Sequence, residues 1–252
     1  MKQIQIDKLC VQIYDNRSQM GQAAALVLRE RMLQLLAQKE AINMIFAAAP
    51  SQNDVLAALV ADPAIPWDRV NAFHMDEYVN LPMDAPQGFA NFLQRHLFEK
   101  VSFRSINCLN CEAADPQIEC DRYAALLASH PTDIVVLGIG ENGHIAFNDP
   151  DVADFNDPQT VKIVALDAIC RQQQVNDGCF DRIDAVPTHA MTLTVPTLVN
   201  APYLFCIVPG PTKAKAVRQT LYGSVSESCP ASILRQHGGA ILYLDEESGA
   251  LL

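Results

Sequence analysis

Six short runs of β-branched and apolar residues recur along the chain: Ile42 to Ala47, Val70 to His74, Ile134 to Leu137, Val161 to Val164, Leu204 to Val208 and Ile241 to Leu244. Longer stretches of helical periodicity separate them. A near-continuous apolar strand has no polar face to offer water, so it must be covered on both sides. The alternation therefore predicts an α/β fold, a Rossmann-like and mainly parallel sheet with helices on both faces. With 252 residues, 50% of them apolar, the chain can bury a large core, and a single domain over residues 1–252 is expected.

The helical stretches carry their own signals. Between Ser18 and Glu40, Leu28, Met32, Leu35 and Leu36 fall on one face, and Leu26 and Leu33 are expected to widen it. Asp54 to Ala61 follows Ser51, Gln52 and Asn53, of which Ser51 and Asn53 suit a helix N-cap directly after a strand. Pro82, Pro86 and Gly88 interrupt regular structure before a helix predicted from Phe89 to Phe98. The tail after Leu244 is short and is expected to add little.

Composition excludes several functions. A formal net charge of -11 opposes nucleic acid or an anionic membrane as the main partner, so an anionic ligand has to be held locally. The apolar runs are too short to span a bilayer, and MKQIQIDKLC lacks the apolar region of a signal peptide, so a cytoplasmic protein is expected. Eight scattered cysteines read as reduced thiols without disulfides. Cys108 and Cys111 have Cys-x-x-Cys spacing but no second pair, only Cys120 nearby, and are read as incidental thiols rather than a metal site.

In an open parallel sheet the ligand lies beyond the carboxyl ends of the strands. Three junctions there draw attention: APSQN, HMDEY and GIGENGHIAFND. Gly138, Gly140 and Gly143 permit tight turns and close approach of a ligand to the backbone. Their G-x-G-x-x-G spacing is a poor dinucleotide fingerprint this far along the chain, and no nicotinamide cofactor is expected. His144 follows the last glycine, with Glu141 and Asp149 near enough in sequence to orient its ring. Asp76 and Glu77 are adjacent in a strand-like segment, so only one enters the crevice; beside Phe73 and Met75 it would be partly desolvated and raised in pKa.

FHMDEYVNLP and GIGENGHIAFNDP, followed in order by VPTHAMTLTVPTL and PGPTKAKAV, resemble the glucosamine-6-phosphate deaminase (isomerase) family from about Ile42 to Leu244. The related 6-phosphogluconolactonases share the sheet and a Gly-His loop, but FHMDEY is similar to the deaminase side. The resemblance implies conversion of an amino sugar 6-phosphate and water to a ketose 6-phosphate and ammonia, with no metal or organic cofactor. By match to its motif, Asp76 would move the C2 proton to C1 and His144 would assist opening of the pyranose ring. Lys213 matches the phosphate-site lysine, and Arg171 is expected to add a phosphate contact.

The chain departs from that pattern at two places. The family's aspartate before the histidine and glutamate after it are here Asn142 and Asp149, so Glu141 or Asp149 is expected to matter more for His144. Asparagine before Gly-His also occurs in the related galactosamine-6-phosphate group, which keeps that C4 epimer open. The usual Gly-Gly-Thr phosphate loop is replaced by Ala48 to Asn53, where Ser51, Gln52 and Asn53 at a helix N-terminus would bind phosphate. DPDVADFNDPQTVK lacks the pattern of members activated by an amino-sugar phosphate, and no such activation is expected. A 6-phosphogluconolactonase-like hydrolase and a catalytically impaired sugar phosphate sensor stand as alternatives. The residues do not decide between a monomer and a homo-oligomer.

Overall fold

In the computed structural model, which describes residues 1–252, the chain opens with a hairpin of β1 (Lys2–Ile6) and β2 (Leu9–Tyr14) and enters the long helix α1 (Arg17–Leu36). There follow β3 (Ile42–Phe46), α2 (Asn53–Val60), β4 (Val70–His74), β5 (Asp76–Tyr78), α3 (Phe89–Leu93), β6 (Ser105–Asn107), α4 (Pro116–Ser129) and β7 (Ile134–Leu137). The second half contains β8 (Val161–Ala165), α5 (Ala168–Asn176), β9 (His189–Leu193), α6 (Val195–Val199), β10 (Tyr203–Val208), α7 (Ala214–Tyr222) and β11 (Ala240–Asp245).

The main sheet runs β1-β2-β11-β10-β7-β3-β4-β6, parallel throughout except for the edge hairpin. From β3 the chain moves outward through β4 to β6. From β7 it moves the other way, through β10 to β11. Because β3 and β7 are neighbours, the connections leaving their carboxyl ends diverge and open a crevice between them.

The expected two-sided burial is present, and it follows the period of two along each strand. Met44 and Phe46 of β3 and Ile207 of β10 pack with α1 and α2. Ile45, Leu204 and Cys206 pack with α4, α6 and α7 on the opposite face. In α1 the buried stripe is Met20, Gly21, Ala24, Ala25, Leu28, Met32 and Leu36, one face at spacings of three and four residues. Leu26 and Leu33 do not widen it and stand 48% and 39% exposed. At about 100° per residue, two steps from Leu28 and one from Met32 carry those side chains off the face.

Three other expectations are corrected. Val161 to Val164 is a strand, but β8 lies outside the main sheet, in a three-stranded antiparallel sheet ordered β5-β9-β8. One of its faces is open beyond Val161: Ile163 and Ala165 are exposed while Lys162 and Val164 are buried, the alternation proper to an antiparallel strand. The helix from Phe89 remains α only to Leu93 and continues as a wide π turn over Gln94–Phe98. Neither Ser51 nor Asn53 caps α2; a 3-10 turn at Pro50–Gln52 leads into it without a side-chain cap.

Arg17 joins the start of α1 to that junction, donating to Asp54 at 2.7 Å and to the Pro50 carbonyl at 3.0 Å. One turn further, Gly21 lets the helices touch: a Cβ there would lie 2.5 Å from the Asp54 Cβ and 2.9 Å from its carbonyl carbon. Gly21→Val forces α1 and α2 apart and should lower stability by about 1–3 kcal/mol in urea unfolding. An unchanged midpoint would contradict this close packing.

Candidate active site

The crevice holds a cavity of about 620 Å³, walled by the turns after β3, β4, β7 and β10. Asp76 enters it one residue beyond the turn out of β4, where β5 departs from the main sheet. Its backbone is fixed opposite Thr192 in β9, and the Leu193 amide donates to the Met75 carbonyl at 2.8 Å. The carboxylate is buried, so loss of hydration raises its pKa well above the ordinary value, and the neighbouring Glu77 adds to the effect.

Glu77 points the other way, as the alternation along a strand requires. Its oxygens accept from the amides of Tyr78 at 3.0 Å, Phe89 at 3.1 Å and Ala90 at 2.9 Å. It therefore serves the first turn of α3, whose orphan amides it satisfies. Burial raises its pKa, against the lowering effect of those three amides.

His144 belongs to a turn whose backbone explains two of the glycines. The Gly143 amide donates to the Gly140 carbonyl at 3.0 Å, and Gly140 donates to the His144 carbonyl at 2.9 Å. Gly143 needs a φ of +87°, open to glycine. Gly140 is needed for space: a Cβ there would fall 2.1 Å from His144 Cε1. The imidazole is thus laid directly on bare backbone, with Nδ1 2.9 Å from Asp149 Oδ1. The ring N–H is not well aimed at that oxygen. Burial works to raise the Asp149 pKa, but His144, Asn142 and the Asp167 backbone outweigh it and hold the carboxylate below its ordinary range.

Asn142 is the organiser of this loop. Its Oδ1 accepts from the His144 amide at 3.0 Å, which turns its amide group toward Asp149 at 2.9 Å and Asp167 at 3.1 Å. An aspartate here could donate to neither and would place a third carboxylate beside two. The same small sheet that carries Asp76 also holds this loop. Phe147 donates its amide to the Thr192 hydroxyl at 3.1 Å, and Asn148 donates to the Leu193 carbonyl at 2.8 Å.

Of the other expected residues, Ser51, Gln52, Asn53, Gly138, Gly140 and Lys213 line the cavity. Gln52 is partly committed, donating to the Ser51 hydroxyl and the Ile207 carbonyl. Lys213 is buried whereas Lys215 is exposed; burial lowers its pKa, opposed by the charges of Asp177 and Glu141. Of the two carboxylates expected to serve His144, Asp149 is the one in contact, and the expected phosphate contact of Arg171 is not met by the geometry. Glu141 does not reach His144, and its amide is held by Gln173 at 2.8 Å. Arg171 lies off the cavity wall, donating to the carbonyls of Ile183 at 2.7 Å and Val186 at 2.9 Å.

Sequence reasoning missed Arg17, Arg95, His96 and Gln173, all on the wall. Arg17 sits at the start of the helix after β2, a strand whose mixed polar and apolar residues, LCVQIY, do not stand out as an apolar run. Arg95 and His96 are presented by the π turn, a distortion that has no clear mark in sequence and often accompanies functional sites.

A buried carboxylate and a histidine facing one switch-point cavity mark the class, an α/β enzyme fold with a site suited to acid–base chemistry. The chain belongs to the glucosamine-6-phosphate isomerase/6-phosphogluconolactonase family, whose sequence model matches residues 15–243. It is 36% identical over 211 residues to a glucosamine-6-phosphate deaminase of Listeria innocua, covering 84% of this chain and 88% of the relative. A glucosamine-6-phosphate deaminase of Bacillus thuringiensis is 39% identical over 183 residues, 73% of this chain and 68% of the relative. Among solved structures, a monomeric glucosamine-6-phosphate deaminase superposes with a TM-score of 0.86 at 27% identity, covering 96% of this chain and 99% of that one. A 6-phosphogluconolactonase of Thermotoga maritima shares the fold, with a TM-score of 0.75 at 18% identity over 94% of this chain and 98% of that one. No helix is long and apolar enough to cross a membrane.

Gly140→Ala should displace the imidazole while leaving the sheet intact, and turnover should fall at least ~100-fold with an unchanged circular dichroism spectrum. Retained turnover would show that His144 does not need its seat on Gly140. The buried Asp76 also makes a thermodynamic prediction. Its folded-state pKa is raised, so its contribution to stability is intact below the unfolded pKa and lost as pH rises through the folded value. Asp76→Asn should therefore unfold at a higher temperature than the parent at neutral pH, with the gap closing as pH falls to the ordinary carboxylate range. A gap independent of pH would refute the buried charge.

Proposed function

We propose that the protein is an amino sugar 6-phosphate deaminase/isomerase, converting glucosamine 6-phosphate or its C4 epimer and water to a ketose 6-phosphate and ammonia. The observation that supports it most is the desolvated Asp76, which shares a cavity with His144 and is held by the same strand, β9, that steadies the His144 loop. A proton moved between adjacent carbons needs one base that reaches both and is screened from water. His144 passes a proton between the ring oxygen and the C1 hydroxyl, opening the pyranose. Ionised Asp76 takes the C2 proton to leave an enolamine and returns it to C1, giving an imine at C2. Water adds to that carbon, and the C2–N bond breaks with release of ammonia.

The phosphate is assigned to the turns that lead into α2 and α7, with Ser51, Asn53 and Lys213 supplying donors and Arg17 adding charge. Gln52, Gly138 and Gly140 contribute to the wall. Asp149 holds His144, and Asn142 holds both. The chain works on this reading as one domain over residues 1–252, in the cytoplasm, and needs no cofactor. A cavity of about 620 Å³ is in the usual range for a small-molecule site.

A lactone hydrolase would use His144 to activate water and would have no use for a carboxylate at 76. The test is ammonia release from glucosamine 6-phosphate and galactosamine 6-phosphate in parallel. One epimer should be consumed, with kcat/KM falling on the acid side as Asp76 is protonated at a pH above the ordinary carboxylate range. Asp76→Asn should cost about 10²–10⁴-fold or more. Hydrolysis of 6-phosphogluconolactone unaffected by Asp76→Asn, with no ammonia from either sugar, would replace this assignment.

A further inference from the structure

Beside the acid–base pair lies a thiol for which the proposed reaction has no use. Cys170, in the first turn of α5, is fully buried and does not line the cavity. Its sulfur, an imidazole nitrogen of His144 and an Asp149 oxygen all lie within 4.8 Å of one another. Cys108, Cys111 and Cys120, the thiols that stand out by spacing, form no such group.

We infer that His144, Asp149 and Cys170 form a site for a thiophilic divalent cation, zinc by chemistry, whose occupation withdraws His144 from proton transfer. Imidazole, carboxylate and thiolate are the three donor types zinc accepts. Tetrahedral coordination with bonds near 2.0–2.3 Å sets donor atoms about 3.4 Å apart, so the 2.9 Å His144–Asp149 pair has only to open slightly and the thiol to draw in.

Two buried atoms give an independent reason. His144 Nδ1 and Asp149 Oδ2 have no directed hydrogen-bond partner although both residues are more than nine-tenths buried. Orphaned donor atoms in such a setting call for a ligand. The charges of Asp149, Asp167 and Asp76 all bear on the thiol, and this negative potential favours a dication. His144 also faces the cavity, which gives the cation its path and leaves a fourth position for water.

On binding, the S–H proton is released to solvent and the sulfur–metal bond forms, while the imidazole takes its other neutral tautomer, the Nδ1 proton exchanged through solvent for one on Nε2, so that the Nδ1 lone pair meets the metal. No atom changes oxidation state. A ligated imidazole cannot become doubly protonated, so ring opening stops. The inhibitory consequence rests on the function proposed above, whereas the binding does not.

Cobalt(II) tests the binding without turnover. One equivalent added to the protein should produce a thiolate-to-cobalt charge-transfer absorption, displaced by one equivalent of zinc. The band should be absent in Cys170→Ala and in Cys170→Ser, the second retaining the volume of the side chain, and present in the Cys108→Ser/Cys111→Ser double variant. In the ammonia assay, zinc should inhibit the parent in competition with the sugar phosphate, with at least a tenfold higher inhibitory concentration for Cys170→Ser. No band in the parent, or a band that survives both Cys170 substitutions, overturns the inference. A band with no ammonia release from either sugar supports the metal site and rejects the proposed reaction.

Discussion

The divergence of the chain between β3 and β7 is the constraint on which the rest of the molecule depends. Parallel strands joined by right-handed crossovers can be covered on both faces, yet where the winding reverses the two outgoing connections cannot fill the space between them. Burial of two apolar layers thus leaves one polar gap. The turns entering α2 and leaving β7 form its two sides, and their backbone groups cannot be satisfied by the sheet. A ligand with its own hydrogen-bonding groups completes what the fold leaves open.

Much of this was legible in the sequence. The apolar runs of β3, β4, β7, β10 and β11 are buried on both faces, and that is why they read as strands without help from alternation. Sequence alone places β8 in the large sheet because Val161, Ile163 and Val164 look equally apolar, and the informative residue is Lys162. Its ammonium reaches Asp157 at 2.8 Å and the Val152 carbonyl at 2.6 Å, a pattern suited to a small sheet at the periphery.

The site was legible to the extent that it is made of strand ends. Asp76 and His144 could be placed because position after a strand implies position at the crevice. Arg17, Arg95 and Gln173 come from helices, where only tertiary packing decides which turn looks inward. Arg171 shows the converse. A cationic side chain near a predicted site is drawn as readily to orphan carbonyls, here those closing the turn at Ile183 to Val186, as to an incoming phosphate. Cys170 gave no sign at all, since a buried cysteine in a helix reads as a small apolar residue.

Asp76 and the His144 loop hang from two consecutive residues of β9, Thr192 and Leu193, rather than from the large sheet. Whatever moves that strand carries both groups with it. A substitution beneath β9 therefore reaches the chemistry as a change in where the pair stands in the crevice, with the interval between base and histidine held by the strand itself.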